Sequence, residues 1–325
     1  MRSVILPAII LVLCVGAFSQ PCTKKTAHQT VGTWATQKPD NLALADRSFS
    51  RARYPAVLAK AQKVIELLKL ANPEFKGIQA YAYLSIHGQP LTQNGAVPFR
   101  VDAVYDSFIC VGNDSHKVEA RGKVLLNGVT NWTTVNFNSF GRILESAFSG
   151  NPFLTVEGEE IFEFPKQLGE LRGFSLLGPV SRTGERHEAM IIASGAQTPY
   201  KPVTREQYLR ARIKIYQDRG GDSIERENLA SAIENLSTAD RQSPAIVRDY
   251  SALPGRAKLF AAESDGSKRL VTIDKSFFNA KLHRETIQLI AISWSWNDKD
   301  LAKAEMIRLF KQEFDFEALS QMLGK

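Results

Sequence analysis

The segment that most constrains the fold runs from Thr286 to Trp296 and reads TIQLIAISWSW. Successive side chains of a strand point to opposite faces. As a strand, this segment places isoleucine and tryptophan on one face and isoleucine, leucine and alanine on the other. Apolar residues on both faces avoid water only in the middle of a sheet that carries a layer on each side. We therefore expect a central, doubly covered strand here.

Residues 1–19 have the composition of a secretory signal peptide. Arg2 precedes an apolar run from Val4 to Val15, and small residues follow at Ala17 and Ser19. The run is shorter than the ~20 residues that a membrane-spanning helix needs. We therefore expect cleavage after Ser19, no integral membrane segment in the mature chain, and a secreted or periplasmic location, that is, an extracytoplasmic one.

The composition is that of a globular protein with a basic balance. The 325 residues are 44% hydrophobic and 23% charged, and the formal net charge is +7. A local excess of basic residues lies between Arg47 and Lys63. For an exported chain we expect no nucleic-acid partner. The basic residues form either a solvated face or a surface for weak contact with anionic envelope polymers; other partners are unknown.

Signal cleavage would leave two cysteines, Cys22 and Cys110. An oxidising compartment permits a disulfide between them, and two unpaired thiols are the alternative, which the sequence leaves open. Neither cysteine belongs to a CxxC motif, and no zinc-ligand spacing occurs. We expect no metal and no cofactor.

The fold class is predicted to be α+β. After a polar and poorly ordered segment at residues 20–50, with Trp34 as its one anchor, residues 51–198 contain a helix from Pro55 to about Ala71. Alternating strands follow, joined by short turns such as Asn127-Gly128. Short turns join antiparallel neighbours, so the sequence predicts a helix packed on an antiparallel sheet.

Residues 199–255 are predicted to form a helical connector. Thr204 and Gln207 have the spacing of a capping box, which starts the first helix at Arg205. Residues 256–325 form a smaller portion with a β-hairpin, an apolar strand and terminal helices, and this portion can share one core with residues 51–198. The hairpin would pair residues 258–263 with residues 269–273.

Sequence motifs identify no reaction. The chain contains no GxSxG nucleophile elbow, no GxxxxGK[ST] phosphate loop, no HExxH pair and no EF-hand loop. Whether the protein is an enzyme is therefore left open.

The strand from Ile78 to His87 carries the one surface with evident binding chemistry. It alternates apolar residues with Gln79, Tyr81, Tyr83, Ser85 and His87. Tyrosine and histidine offer apolar surface together with hydrogen bonds, which suits a groove for sugars or peptides. The alternative is an ordinary solvent-facing side. The candidate ligand-binding residues are Tyr81, Tyr83 and His87.

Three functions are compatible with these features, the third of which is a purely structural envelope protein. The first is a non-catalytic extracytoplasmic binding or interaction module that uses the tyrosine face. The alternative is an exported hydrolase with a dispersed His/Ser/carboxylate site. It would need His87, His187 or His283 to lie within hydrogen-bonding reach of a serine or a carboxylate in a cleft.

Overall fold

The computed structural model describes residues 23–35, 51–86, 95–112, 123–141, 143–144, 154–156, 159–178, 185–195, 197–218, 220, 223–247, 259–263 and 267–325. The helices in these ranges are α1 (Lys24–Gln29), α2 (Tyr54–Ala71), α3 (Arg205–Asp218), α4 (Ser223–Glu234), α5 (Thr238–Gln242), α6 (Leu301–Glu313) and α7 (Phe316–Ser320). The strands are β1 (Val31–Gly32), β2 (Trp34–Ala35), β3 (Phe75–Lys76), β4 (Ile78–Ile86), β5 (Phe99–Cys110), β6 (Val124–Phe137), β7 (Leu154–Val156), β8 (Glu159–Phe164), β9 (Lys166–Leu171), β10 (Phe174–Gly178), β11 (Glu185–Ala193), β12 (Tyr200–Pro202), β13 (Ile246–Val247), β14 (Lys268–Ile273) and β15 (Leu289–Asn297).

The chain is an α+β protein, as the sequence predicts, with 34% of the described residues helical and 38% in strands. The large sheet has eight strands in the order β2-β4-β5-β6-β15-β11-β10-β9. β2 joins β4 in parallel, whereas the other neighbours are antiparallel. The sheet is therefore mixed rather than purely antiparallel. A small sheet aligns β12, β14, β8 and β7, with β13 also paired to β14.

Strand β15 occupies the centre of the large sheet, which confirms the central strand predicted from the sequence. It pairs with β6 on one edge and with β11 on the other, and all of its side chains except that of Asn297 are buried. This strand belongs to the predicted portion 256–325, yet it lies inside the sheet formed by residues 78–193. The boundaries of the predicted portions stay predictions.

Helices cover one face of the large sheet. α2 buries Val57, Val64 and Leu68, and α6 and α7 bury Phe310 and Phe316, all in one hydrophobic cluster with the sheet. Each fully buried side chain of this size contributes about 1.5–3 kcal/mol relative to an exposed one. This cluster is the main core.

The small sheet covers only part of the opposite face. Phe162 and Val271 of the small sheet pack with Leu289 of β15, and Ile143 packs on Ala291. These contacts lie over β15 and β11. The chain passes from the small sheet to the large one at Pro165, between β8 and β9, and returns between β11 and β12.

The capping box at the start of α3 forms as its spacing predicts. The Thr204 amide donates to Gln207 Oε1 at 2.8 Å, and the Gln207 amide donates to Thr204 Oγ1 at 3.2 Å. Val203 and Tyr208 are buried on either side of this turn and pack with α4 and the small sheet. Local capping and burial thus fix the start of the helical connector.

The predicted hairpin of residues 258–263 with residues 269–273 is wrong. One edge of β14 pairs with β8 and the other pairs with β12 and β13, so neither edge is left for the preceding segment. Phe260 instead bridges to Val247 of β13. Three partners distant in sequence occupy β14 in place of its neighbour along the chain.

The predicted turn at Asn127-Gly128 is also wrong, because both residues lie within the single strand β6. Ser107 of β5 pairs with Asn127, but Asp106 pairs with Thr130. Two residues of β6 therefore bulge out of the ladder, and Gly128 is one of them. Glycine inside a strand often marks such a bulge.

The prediction of a poorly ordered segment at residues 20–50 is wrong for residues 23–35, which contain α1, β1 and β2. Trp34 does anchor this segment, as expected. Its Nε1 donates to Asn72 O at 2.8 Å, and its ring packs edge-on against Phe75 and Tyr105. A partly buried indole with a satisfied N–H holds β2 against β4.

Several sequence predictions fall outside the described residues. These include the signal peptide at residues 1–19, the remainder of the 20–50 segment, and Cys22. Cys110 is disulfide-bonded, and its pairing with Cys22 stays a prediction. In the described part of the chain, no helix is long and apolar enough to cross a membrane.

Asn138 joins three segments at one end of the large sheet. It is fully buried and has a positive φ of 55°, a conformation that asparagine tolerates better than most residues. Its Nδ2 donates to Val97 O at 3.2 Å and to Thr286 O at 3.0 Å, and its Oδ1 accepts from the Gln288 amide at 2.8 Å. This side chain therefore holds the entries of β5 and β15 to the end of β6.

We expect Asn138→Ala to lower the free energy of unfolding by about 3 kcal/mol or more, since each buried polar group left unsatisfied costs ~1–3 kcal/mol. Asn138→Gly should lose about 1 kcal/mol less, because glycine removes the strain of the positive φ. Urea denaturation measures both. Asn235→Ala, at an exposed asparagine, is the control and should stay within about 0.5 kcal/mol of wild type; equal effects of the Asn138→Ala and Asn235→Ala changes would contradict this role.

Candidate functional site: the open face of the large sheet

The large sheet presents a polar and aromatic surface on the side opposite α2, over strands β4, β5 and β6. We name this surface the open face. Cross-strand register places eleven side chains on it: Gln79, Tyr81, Tyr83 and Ser85 of β4, Arg100, Asp102, Val104 and Asp106 of β5, and Trp132, Thr134 and Asn136 of β6. The apolar residues that alternate with these point into the main core.

Two of the three candidate binding residues lie on the open face. Tyr81 is half-buried, and Tyr83 is 40% exposed, more than any other described aromatic side chain. Neither tyrosine belongs to any of the hydrophobic clusters formed by the described residues. His87 lies outside the described residues, so its contribution stays a prediction.

The centre of the open face is a hydrogen-bonded trio around Asp102. Arg100 Nε donates to Asp102 Oδ2 at 2.6 Å, and Thr134 Oγ1 donates to Asp102 Oδ1 at 2.7 Å. The side chain of Asp102 is 17% exposed and that of Arg100 is 33% exposed. The carboxylate is thus held in one orientation, and about a third of the Arg100 side chain stays exposed.

Val104 lies between two aromatic residues of the open face, and we name the strip between them the slot. It is the direct cross-strand neighbour of Tyr81 on one side and of Trp132 on the other. Because neighbouring strands lie about 4.8 Å apart, the two aromatic residues start about 10 Å from one another across Val104. A slot of this width, with an apolar floor, is wide enough for a single sugar ring or a peptide side chain.

Asp106 lies at one end of this slot. Burial raises the pKa of its carboxyl above the ordinary value, and Lys303 lowers it by a smaller amount. Its Oδ1 is buried and has no hydrogen-bond partner among the described residues. Burial, and then the neighbouring charge of Asp106, also raise the pKa of Tyr81.

The open face ends where the small sheet begins. The turn at Ser139–Gly141 crosses the sheet here, and a Cβ at Gly141 would lie 2.3 Å from Asn136 Nδ2. Gly141 also has a positive φ of 54°. The turn can therefore lie this close to Asn136 only because residue 141 is glycine, and it forms one wall of the open face.

Two of the three histidines named by the hydrolase hypothesis, His187 and His283, are described, and they lie at separate places. His187 Nε2 is 3.6 Å from Glu185 Oε2, and His187 is the cross-strand neighbour of Ser295. His283 Nδ1 is instead 3.5 Å from Arg53 Nη1. Among the described residues, no three His, Cys, Asp or Glu side chains converge to hold a metal ion.

Sequence reasoning missed Arg100, Asp102 and Trp132. The alternation from Val97 to Cys110 contained the signal, because the polar residues of that run share one face. The local sequence does not give the strand register that places this face beside Tyr81 and Tyr83. That register is set by the pairing of β5 with both β4 and β6.

Comparisons with protein-family models, with curated proteins and with solved structures gave no match for this chain. Its function must therefore be argued from its own residues.

We expect Asp106→Asn to raise the free energy of unfolding at pH 7. The folded-state pKa of Asp106 lies above the unfolded value, so the folded protein favours the protonated carboxyl. The resulting stabilisation is present below the unfolded pKa and is lost as pH rises through the folded pKa. The gain should be less than about 1 kcal/mol, because the partly exposed carboxylate keeps some hydration. It should vanish near pH 3, where both states are protonated.

Asp102→Asn is the matched comparison on the same strand. This change removes the ion pair with Arg100, so the free energy of unfolding at pH 7 should fall by about 1–3 kcal/mol. Chemical denaturation at both pH values measures the two variants. A loss of stability in Asp106→Asn at pH 7 would show that its carboxylate is well solvated or paired.

Proposed function

We propose that the protein is a non-catalytic extracytoplasmic binding module whose open face takes a neutral or donor-rich polar ligand, such as a sugar or a peptide segment. The observation that carries this proposal is the juxtaposition of Tyr81, Tyr83 and Trp132 with the Arg100–Asp102–Thr134 trio on one side of the sheet. Aromatic surfaces next to oriented polar groups are the usual composition of such sites.

The charge of the open face supports a neutral ligand over an anionic one. Its three charged residues are Arg100, Asp102 and Asp106, which gives one positive and two negative groups. Arg100 is already paired with Asp102, so the remaining charge is the carboxyl of Asp106. Phosphate or carboxylate groups of a ligand would be repelled at this end of the slot.

Weak contact with anionic envelope polymers would have to use another surface. Two of the basic residues between Arg47 and Lys63 make internal contacts. Arg53 is paired with Glu285 at 2.7 Å, and Lys60 donates to Lys325 O at 2.9 Å. Lys63 is exposed. This partner class stays a secondary proposal, because part of the basic excess serves internal contacts.

The alternative, an exported hydrolase, has one observation in its favour. His187 lies across from Ser295 and within 3.6 Å of Glu185, which are the residue types of a dispersed hydrolytic site. Ser295, however, is only 4% exposed. A substrate would have little access to that hydroxyl, and for this reason we place binding first.

The test is a screen of the mature protein on arrays of neutral glycans and of unmodified peptides, followed by calorimetry on the strongest binder. We expect Tyr81→Ala/Tyr83→Ala to weaken that binding by about 10–100-fold, since each aromatic contact contributes ~0.5–1.5 kcal/mol. The melting temperature should change little, because neither ring belongs to the core.

Leu168→Ala is the matched control. Leu168 is 52% exposed and lies on β9, at the opposite edge of the same sheet, so its removal should leave binding unchanged. A large fall in melting temperature of the tyrosine variant would show that the open face is covered core. Binding on neither array would contradict the ligand class, and release of a hydrolysed product that Ser295→Ala abolishes would favour the hydrolase.

A further inference from the structure

A second concave site lies where the two sheets separate, on the far side of β15 from the open face. This cavity of about 520 Å³ is lined by residues of β8, β9, β10, β11, β12 and β14, and we name it the inter-sheet pocket. Two of the chain crossings between the sheets line it, one through Pro165 and the other through Gly195, Gln197, Thr198 and Pro199. It is therefore bounded on two sides, and its size lies in the range of small-molecule sites.

The floor of the inter-sheet pocket is apolar. Leu177 and Ile191 line it from the large sheet, and Phe164 and Tyr200 line it from the small one. The rings of Phe164 and Tyr200 lie 4.3 Å apart between centroids, at a tilt of 38°. Together these side chains offer a surface for the apolar body of a ligand.

The polar groups of the pocket are mainly donors. Two basic residues, Lys166 and Arg269, line the pocket, together with one acidic residue, Glu263. The Nε of Arg269 is buried and has no acceptor among the described residues, although its Nη2 is paired with Glu263. That pair is about half exposed on both sides, and pairs of this kind are weak. An incoming anion can therefore compete for the guanidinium.

Tyr200 adds a hydroxyl near this guanidinium. Arg269 is the cross-strand neighbour of Phe164, whose ring contacts that of Tyr200, and both Arg269 and Tyr200 line the pocket. Burial raises the pKa of Tyr200, and the positive charge of Arg269 opposes that shift. A neutral phenol beside a guanidinium presents two donors to the same oxygen atoms. The pocket therefore combines an anion-binding end with an apolar floor.

We propose that the inter-sheet pocket binds a small organic carboxylate, with Arg269 and Tyr200 donating to the carboxylate and Phe164, Leu177 and Ile191 contacting the apolar body. This site is separate from the open face and does not depend on the function proposed for it. Arginine suits the role, because its planar donors match the two oxygens of a carboxylate.

The experiment is isothermal titration calorimetry of the full mature protein with three probes: 2-naphthoate, its neutral counterpart 2-naphthamide, and inorganic phosphate. We expect saturable binding of 2-naphthoate. Binding of 2-naphthamide should be at least about tenfold weaker because the amide lacks the charge, and binding of phosphate should be at least about tenfold weaker because phosphate lacks the apolar body. The Tyr83→Ala change on the open face should leave all three affinities unchanged.

Two variants assign the binding to this pocket. Arg269→Gln keeps a side chain of similar length and should weaken 2-naphthoate at least about tenfold without affecting 2-naphthamide. Tyr200→Phe removes one hydroxyl and should weaken 2-naphthoate about 3–10-fold, which serves as the test if Arg269→Gln does not fold. Arg308→Gln, at an arginine of α6 paired with Glu305, is the control for removing a positive charge.

The proposal is overturned by any of three results. The first is no saturable binding of 2-naphthoate up to about 1 mM, the weak end of useful affinity. The second is equal affinity for the acid and either of the other probes. The third is an affinity for 2-naphthoate that a folded Arg269→Gln or Tyr200→Phe variant leaves unchanged.

Discussion

The whole structure depends on the burial of β15 from both faces. The strand can leave water only if one layer covers each side, and the chain provides two different layers. α2, α6 and α7 cover one side, where Trp294 packs edge-on against Phe310 at 5.3 Å between centroids and donates its indole N–H to Glu188 at 3.0 Å. The small sheet covers the other side, where Ala291 and Leu289 are buried. A single apolar strand thus requires a three-layer arrangement.

The two layers differ in extent, and both candidate sites follow from that difference. The helical layer spans the large sheet from β4 to β10, whereas, among the described residues, the small sheet packs only over β10, β11 and β15. The opposite side of β4, β5 and β6 is therefore left to polar and aromatic residues, which form the open face. At the other end, the small sheet must diverge from the large one so that the chain can cross at Pro165. The inter-sheet pocket lies at this divergence.

Local patterns predicted what local physics determines. The double-sided apolar run predicted β15, and the capping residues Thr204 and Gln207 predicted the start of α3, because each signal acts within one element. The choice of strand partners could not be predicted in this way. β14 pairs with β8, β12 and β13 rather than forming a hairpin with the preceding segment. Similarly, β5 pairs with β6 on both sides of Asn127-Gly128, where the sequence predicts a turn. The candidate site was half predicted for the same reason: alternation identified Tyr81 and Tyr83, but only the cross-strand register brings Asp102 and Trp132 beside them.

Two residues whose polarity is unfavourable lie on the same side of the large sheet as the open face. Asp106 is a carboxyl whose burial disfavours its charge, and Ser293 is almost fully buried, with a hydroxyl that has no partner among the described residues. Ser293 is the cross-strand neighbour of Thr134, which belongs to the open face. Apolar residues at these positions would save the desolvation of two polar groups. Such a loss of stability is common in proteins at surfaces that bind a ligand or a partner. The tyrosine face alone fits an ordinary solvent-facing side, and it is this unfavourable polarity beside it that favours a binding surface.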